Sequence, residues 1–170
     1  MGDAVLTRFS EHRRGALAWL WLSLGVAVAD QSTKAIVVHL LEPLVPHAVI
    51  PGLLNWMLAY NTGAAFSFLA GQQGWQRWFF TALAVVISGV LVRWLANTPR
   101  SDWRTALPLA LVVGGAVGNL IDRLRIGHVT DFIQVYYGQW AFPSFNVADS
   151  AISVGAVLLL WFGLFVRRHP

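Results

Sequence analysis

The chain has 170 residues, of which 56% are hydrophobic and only 12% charged, with a formal net charge of +4. So few charges cannot solvate a globule of this size, which excludes the soluble classes and indicates an integral membrane protein. The basic excess does not point to nucleic acid, because the arginines sit at the ends of apolar runs rather than along one face.

In chain order, four stretches supply the roughly 20 apolar residues that a bilayer crossing requires. They are approximately residues 16–41, 75–95, 106–124 and 147–166. The expected fold is mainly α and integral to the membrane, with four transmembrane helices and a small extracytoplasmic β element in a single domain, residues 1–170. The first stretch follows Arg13–Arg14 and contains Ala27-Val28-Ala29, which imitates a cleavable secretory signal. Apolar character resumes after Asp30 through Leu41, so the stretch is expected to remain as a span. Asp30 lies roughly 22 Å along that helix, and Lys34 follows one turn later in the favoured acid-then-base order. On their own these two read as a structural ion pair near the interface.

Between the first two stretches, residues 44–69 hold Pro46, Pro51 and Gly52, then LLNWMLAY and GAAFSF, which suit short strands or re-entrant backbone. The third stretch is short and carries Gly114 and Gly118, a small-xxx-small face for close helix packing. These glycines lack the strand context of a phosphate loop. The fourth stretch opens with Asn146 and Asp149, the spacing of an N-cap and an acid at the third helical position. Capping alone would account for that pair.

Orientation follows from the basic residues. Arg8, Arg13, Arg14, Arg93, Arg100, Arg104, Arg167 and Arg168 lie near the termini and the middle loop, whereas Arg77, Arg123 and Arg125 lie beside the other two loops. By the positive-inside rule both termini are cytoplasmic and the first and third loops face outward. Trp75, Trp78 and Trp140 then mark the outer interface and Trp19, Trp21, Trp94, Trp103 and Trp161 the inner one. With that topology the strongly polar residues converge at one outer-leaflet depth: Asp30, Lys34, Asn61, Asn119, Asp122, Arg123, Asn146, and two acids, Asp131 in the last long loop and Asp149.

An acid near hydrocarbon costs roughly 2.5–3.5 kcal/mol on insertion scales and marks a functional site by default. Two facing acids suggest shared proton chemistry. The chain has no cysteine, which excludes disulfides, thiolate nucleophiles and cysteine-ligated metals. His39, His47 and His128 are irregularly spaced and no HExxH occurs, so no metal site is expected. Ser32 and Lys34 are two apart on a helix and do not face each other, which disfavours a Ser-Lys dyad. A small proton- or ion-coupled transporter is the main alternative, but its pathway would need polar residues in the inner halves of the spans, where Arg93 stands nearly alone.

DQSTK at 30–34, NTGAAFS at 61–67, GNLIDR at 118–123, GHVTDF at 127–132 and FNVADS at 145–150 resemble, in order, the motif set of the bacterial lipoprotein signal peptidases, also called signal peptidase II. Thr130 stands where an aliphatic residue is expected. The resemblance covers nearly the whole chain and implies an intramembrane aspartic endopeptidase of the bacterial inner membrane. Its substrate would be a prolipoprotein already carrying a diacylglyceryl group, with no cofactor. It also implies that Asp131 and Asp149 form the catalytic pair. Asn61, Asn119, Arg123 and Asn146 would shape the site and position substrate, Asp30 and Lys34 would support it from the first helix, and Asp122 would hold a helix end. Of the pair, Asp149 at a helix N-terminus is expected to be the carboxylate and Asp131 the acid. Its partners would then be the lipidated substrate and membrane lipid, with no nucleic acid.

Overall fold

The computed structural model describes residues 15–63 and 75–165. Arg8, Arg13, Arg14, Arg167 and Arg168 of the orientation argument, residues 64–69 of the first loop and the 166 end of the last stretch lie outside the described residues.

After a 3-10 turn, Ala16–Trp19, helix α1 runs Leu20–Leu40 and ends where Leu41 turns extended, just ahead of Pro43. A hairpin follows, β1 His47–Ile50 and β2 Leu54–Asn61, turned at Pro51-Gly52, where Gly52 takes φ 82°. Helix α2 spans Trp75–Asn97. Helix α3 spans Trp103–Arg125 and is started by Asp102, whose carboxylate accepts from the Thr105 backbone N–H at 3.2 Å. Strand β3 Val129–Tyr137, the short β4 Trp140–Ala141 and helix α4 Val147–Phe165 complete the described chain.

The four strands form one antiparallel sheet in the order β1-β2-β3-β4. Here the structure departs from expectation: Asp131 lies not in a loop but near the start of β3, opposite Ala59 of β2. The run VTDFIQVYY is rich in β-branched and aromatic residues, as strands are.

Helix α3 is the hub, packed by α1, α2 and α4. In its most apolar window 67% of the residues are buried, against 11% in those of α2 and α4, so the outer helices keep their apolar sides outward. Three α3 glycines allow the close approach. Gly114 lies against the Ser23 carbonyl of α1, Gly115 against the Ala148 carbonyl of α4, and Gly118 against the Asp30 carboxylate, where an added Cβ would sit 2.6 Å from Oδ2. Helices α2, α3 and α4 are each long and apolar enough to cross a membrane. Helix α1 is long enough, but Asp30, Gln31 and Lys34 interrupt its apolar run, and the two charged residues are buried rather than facing outward.

Candidate active site

The site is assembled at one end of α3 from five elements, α1, β2, α3 itself, β3 and α4. Asp131 is 2% exposed. Asn61 ends β2 two residues beyond Ala59, the pairing partner of Asp131, so strand alternation puts its side chain on the same face. Its Nδ2 donates to Asp131 Oδ2 at 3.1 Å.

Helix α4 presents the second acid. Asn146, fully buried, precedes the helix and accepts the Asp149 backbone N–H on its Oδ1 at 2.9 Å, while Asp149 Oδ2 accepts the Asn146 backbone N–H at 3.2 Å. This is a capping box with aspartate in the third position. The same Asn146 uses Nδ2 to donate to Asp131 Oδ1 at 2.7 Å, to Asn119 Oδ1 at 3.1 Å and to the Thr130 carbonyl at 3.3 Å. Capping and contact with both carboxylates therefore coexist in one residue, the side chain reaching Asp131 and the backbone N–H reaching Asp149. Asn119, from α3, completes the link by donating Nδ2 to Asp149 Oδ1 at 2.7 Å.

Below these residues lies a buried ionic group. Lys34 Nζ sits 2.7 Å from Asp30 Oδ2 and 2.9 Å from Asp122 Oδ2, and donates to Asn119 Oδ1 at 2.9 Å. A buried ammonium is tolerable only when paired and fully hydrogen-bonded, and all three partners supply that. The acids are satisfied in turn. Asp30 Oδ1 accepts the Ala148 backbone N–H at 2.9 Å, so an α1 carboxylate caps the first turn of α4. Asp122 accepts the Thr130 backbone N–H at 3.0 Å and Gln31 Nε2 at 2.8 Å, and its carbonyl takes the Ile126 and Gly127 N–H groups. Asp122 thus holds both the end of α3 and the start of β3.

Asp131 lies outside the spanning helices, and its carboxyl is pushed up to about 7, chiefly by burial and then by the negative charge of Asp149, against hydrogen bonds from Asn61 and Asn146 and the charge of Lys34. Arg123 is half-buried, interacts electrostatically with Asp149, Asp131 and Asp122, and has a long 3.5 Å hydrogen bond to the Asn119 carbonyl. His128, one of the three histidines weighed as metal ligands, packs its ring on Tyr60 at 4.6 Å between centroids.

Of the residues singled out in the sequence, Asp30, Lys34, Asn61, Asn119, Asp131, Asn146 and Asp149 form one continuous network, and Arg123 stands beside it. Three members were not anticipated: Gln31 and the backbone groups of Thr130 and Ala148. Gln31 carried a usable signal, an amide side chain inside an apolar stretch. Thr130 and Ala148 did not, because their part is played by main-chain groups.

Residues 22–165 match the family model described as signal peptidase (SPase) II. Over 150 residues the chain is 59% identical to a lipoprotein signal peptidase of Xanthomonas campestris pv. campestris (strain 8004), covering 88% of this chain and 90% of that protein. It is 54% identical over 154 residues to the lipoprotein signal peptidase of Xylella fastidiosa (strain M12), covering 91% and 92%. Among solved structures, a bacterial membrane enzyme determined by the in meso method at 1.9 Å resolution superposes with a TM-score of 0.78 at 30% identity, covering 92% of this chain and 99% of that one. With buried acids, apolar helices and both levels of similarity in agreement, the chain belongs to the signal peptidase II family of aspartic peptidases.

Proposed function

We propose that the chain removes signal peptides from diacylglyceryl-modified prolipoproteins, cutting before the lipidated cysteine with Asp131 and Asp149 as a water-activating pair. The observation that carries this reading is Asn146, one residue that donates its side-chain amide to the Asp131 carboxylate and its backbone N–H to the Asp149 carboxylate. Two adjacent acids do not ionise together easily, so one holds a proton while the other is a base. Asp131, with its raised pKa, is assigned the proton, to be delivered to the leaving amine. Asp149, in the first turn of α4, is the carboxylate that draws a proton from water as it attacks the scissile carbonyl.

The remaining roles follow from the contacts. Asn61 orients Asp131, Asn119 orients Asp149, and Asn146 spaces the two. Arg123 supplies positive charge where the carbonyl oxygen becomes negative. Asp30 and Lys34 act on the site indirectly, through the first turn of α4 and through Asn119. Helix α1 is taken as the fourth span, its 21 residues reaching about 30 Å, with its ionic residues turned to the interior. Both termini are then cytoplasmic, the sheet is extracytoplasmic, and the site lies at the outer leaflet of the inner membrane, where a substrate's acyl chains stay in hydrocarbon while its peptide meets water. The ion-transport alternative is not favoured, since the relatives are peptidases.

The test is a detergent assay on lipidated propeptide. Asp131→Asn and Asp149→Asn should each abolish turnover in protein that still purifies folded, and the double variant should be no worse than either single one. Unlipidated peptide of the same sequence should be cleaved hardly at all, because remote binding energy sets the depth of the scissile bond. Near-normal cleavage by Asp149→Asn protein would remove the pair, and equal cleavage of both peptides would remove the lipid-dependent role.

A further inference from the structure

Arg123 is weakly anchored by hydrogen bonds for a cation placed among three acids. Its contact with the Asn119 carbonyl is at the limit of a hydrogen bond, 3.5 Å. What it does have is a ring: its Cζ stands 5.4 Å from the centroid of Phe80 on α2, within the distance at which a guanidinium is attracted by the negative face of an aromatic ring. A guanidinium held over a ring face keeps its in-plane N–H donors available to oxygen.

Phe80 has a second contact with the same site. Gly63 lies close against it: a Cβ added there would sit 2.9 Å from two ring carbons. Gly63 has φ 105°, which L residues with a side chain rarely adopt, so the close approach and the backbone conformation both require glycine. Its N–H donates to Asn61 Oδ1 at 2.9 Å, and it is Asn61 that holds Asp131. The ring therefore touches both the segment that fixes the acid and the cation that interacts electrostatically with both acids. Phe79 meets Phe80 edge-on at 5.3 Å and itself meets Trp75 at 5.8 Å, which steadies the ring. No polar atom of Phe80 takes part, so nothing in the chemistry of the acids draws attention to it.

We infer that Phe80 is a positioning residue for the reaction, its ring face orienting the Arg123 guanidinium toward the two aspartates. The inference rests on the proposed roles of Asp131, Asp149 and Arg123. It differs from a packing role because it depends on the electrons of the ring and not only on its volume. Helix α2 reaches Arg123 through this contact.

Fluorinated phenylalanines at position 80 provide the test, since each added fluorine weakens the ring's negative face with almost no change of shape. On lipidated propeptide, kcat should fall stepwise along the mono-, di- and trifluoro series, by about 10-fold overall, while KM stays within about twofold. Phe80→Leu should lie near the end of that series and Phe80→Tyr near wild type. In an Arg123→Gln background the series should be flat. A flat series with Arg123 present, Leu matching Tyr, or losses that multiply unchanged in the Arg123→Gln background would each overturn the inference. Asp131→Asn protein assayed beside them keeps the two readings separate: turnover by that variant defeats the acid pair, whatever the fluorine series does.

Discussion

At the scale of single residues, Asp131 couples stability to pH. Its carboxyl titrates near 7 in the folded chain, against about 3.9 when unfolded. Between about pH 4 and pH 7 the folded state therefore keeps a proton that the unfolded state has released. That contribution is fully present below about pH 4 and is lost as pH rises through about 7. The protein in detergent should accordingly melt lower at about pH 8 than at about pH 5, and Asp131→Asn, which cannot ionise, should shrink the difference while destroying activity. A wild-type melting curve indifferent to pH across that range would contradict the burial assigned to this acid. On the proposed mechanism kcat should also decline above about pH 7 as the acid of the pair loses its proton, with an apparent pKa that belongs to the pair. Much at this scale was legible in the sequence, because an acid or amide in an apolar stretch is conspicuous. The two plain readings, Asn146–Asp149 as a cap and Asp30–Lys34 as an ion pair, describe real contacts, and those same side chains also reach the neighbours of the acids.

At the scale of elements, contacts between segments distant in sequence were the least legible. The helices of the last three apolar stretches begin and end within a few residues of expectation, as their composition dictates. Strand β3 was missed because its partner β2 lies some 70 residues earlier, and no local pattern reports such a pairing. The Asp30 cap on α4 is more remote still, spanning 118 residues. It depends on Gly118, since a methyl there would meet the carboxylate that reaches across to Ala148. Gly118→Ala should therefore displace Asp30, loosen the first turn of α4, and lower kcat by on the order of 10-fold or more, with a stability loss of about 1–3 kcal/mol from overpacking. Gly89→Ala is the matched control on α2, where nothing lies within 4 Å of the added methyl. It should be neutral or stabilising by up to about 1 kcal/mol, as alanine replaces a mid-helix glycine. Thermal melts and turnover of the two variants, compared side by side, decide whether the close approach at Gly118 serves the site.

For the whole molecule, the arrangement predicts which loops face which side. Reporters fused after residue 138 should appear outside the cytoplasm and reporters after residue 100 inside, following the arginine distribution. An inside signal at 138 would put the acids in the wrong compartment for a lipid-anchored substrate. The buried ionic group also bears on how such a chain is made. With α1 as a span, Asp30 and Lys34 leave the ribosome long before Asp122 exists to join them. A lone aspartate or a lone lysine in that helix would resist entry into lipid. One turn apart, the two arrive as a self-neutralised couple. The first helix can then wait in the bilayer during synthesis, its lysine already screened and ready to receive the second acid when α3 comes to lie beside it.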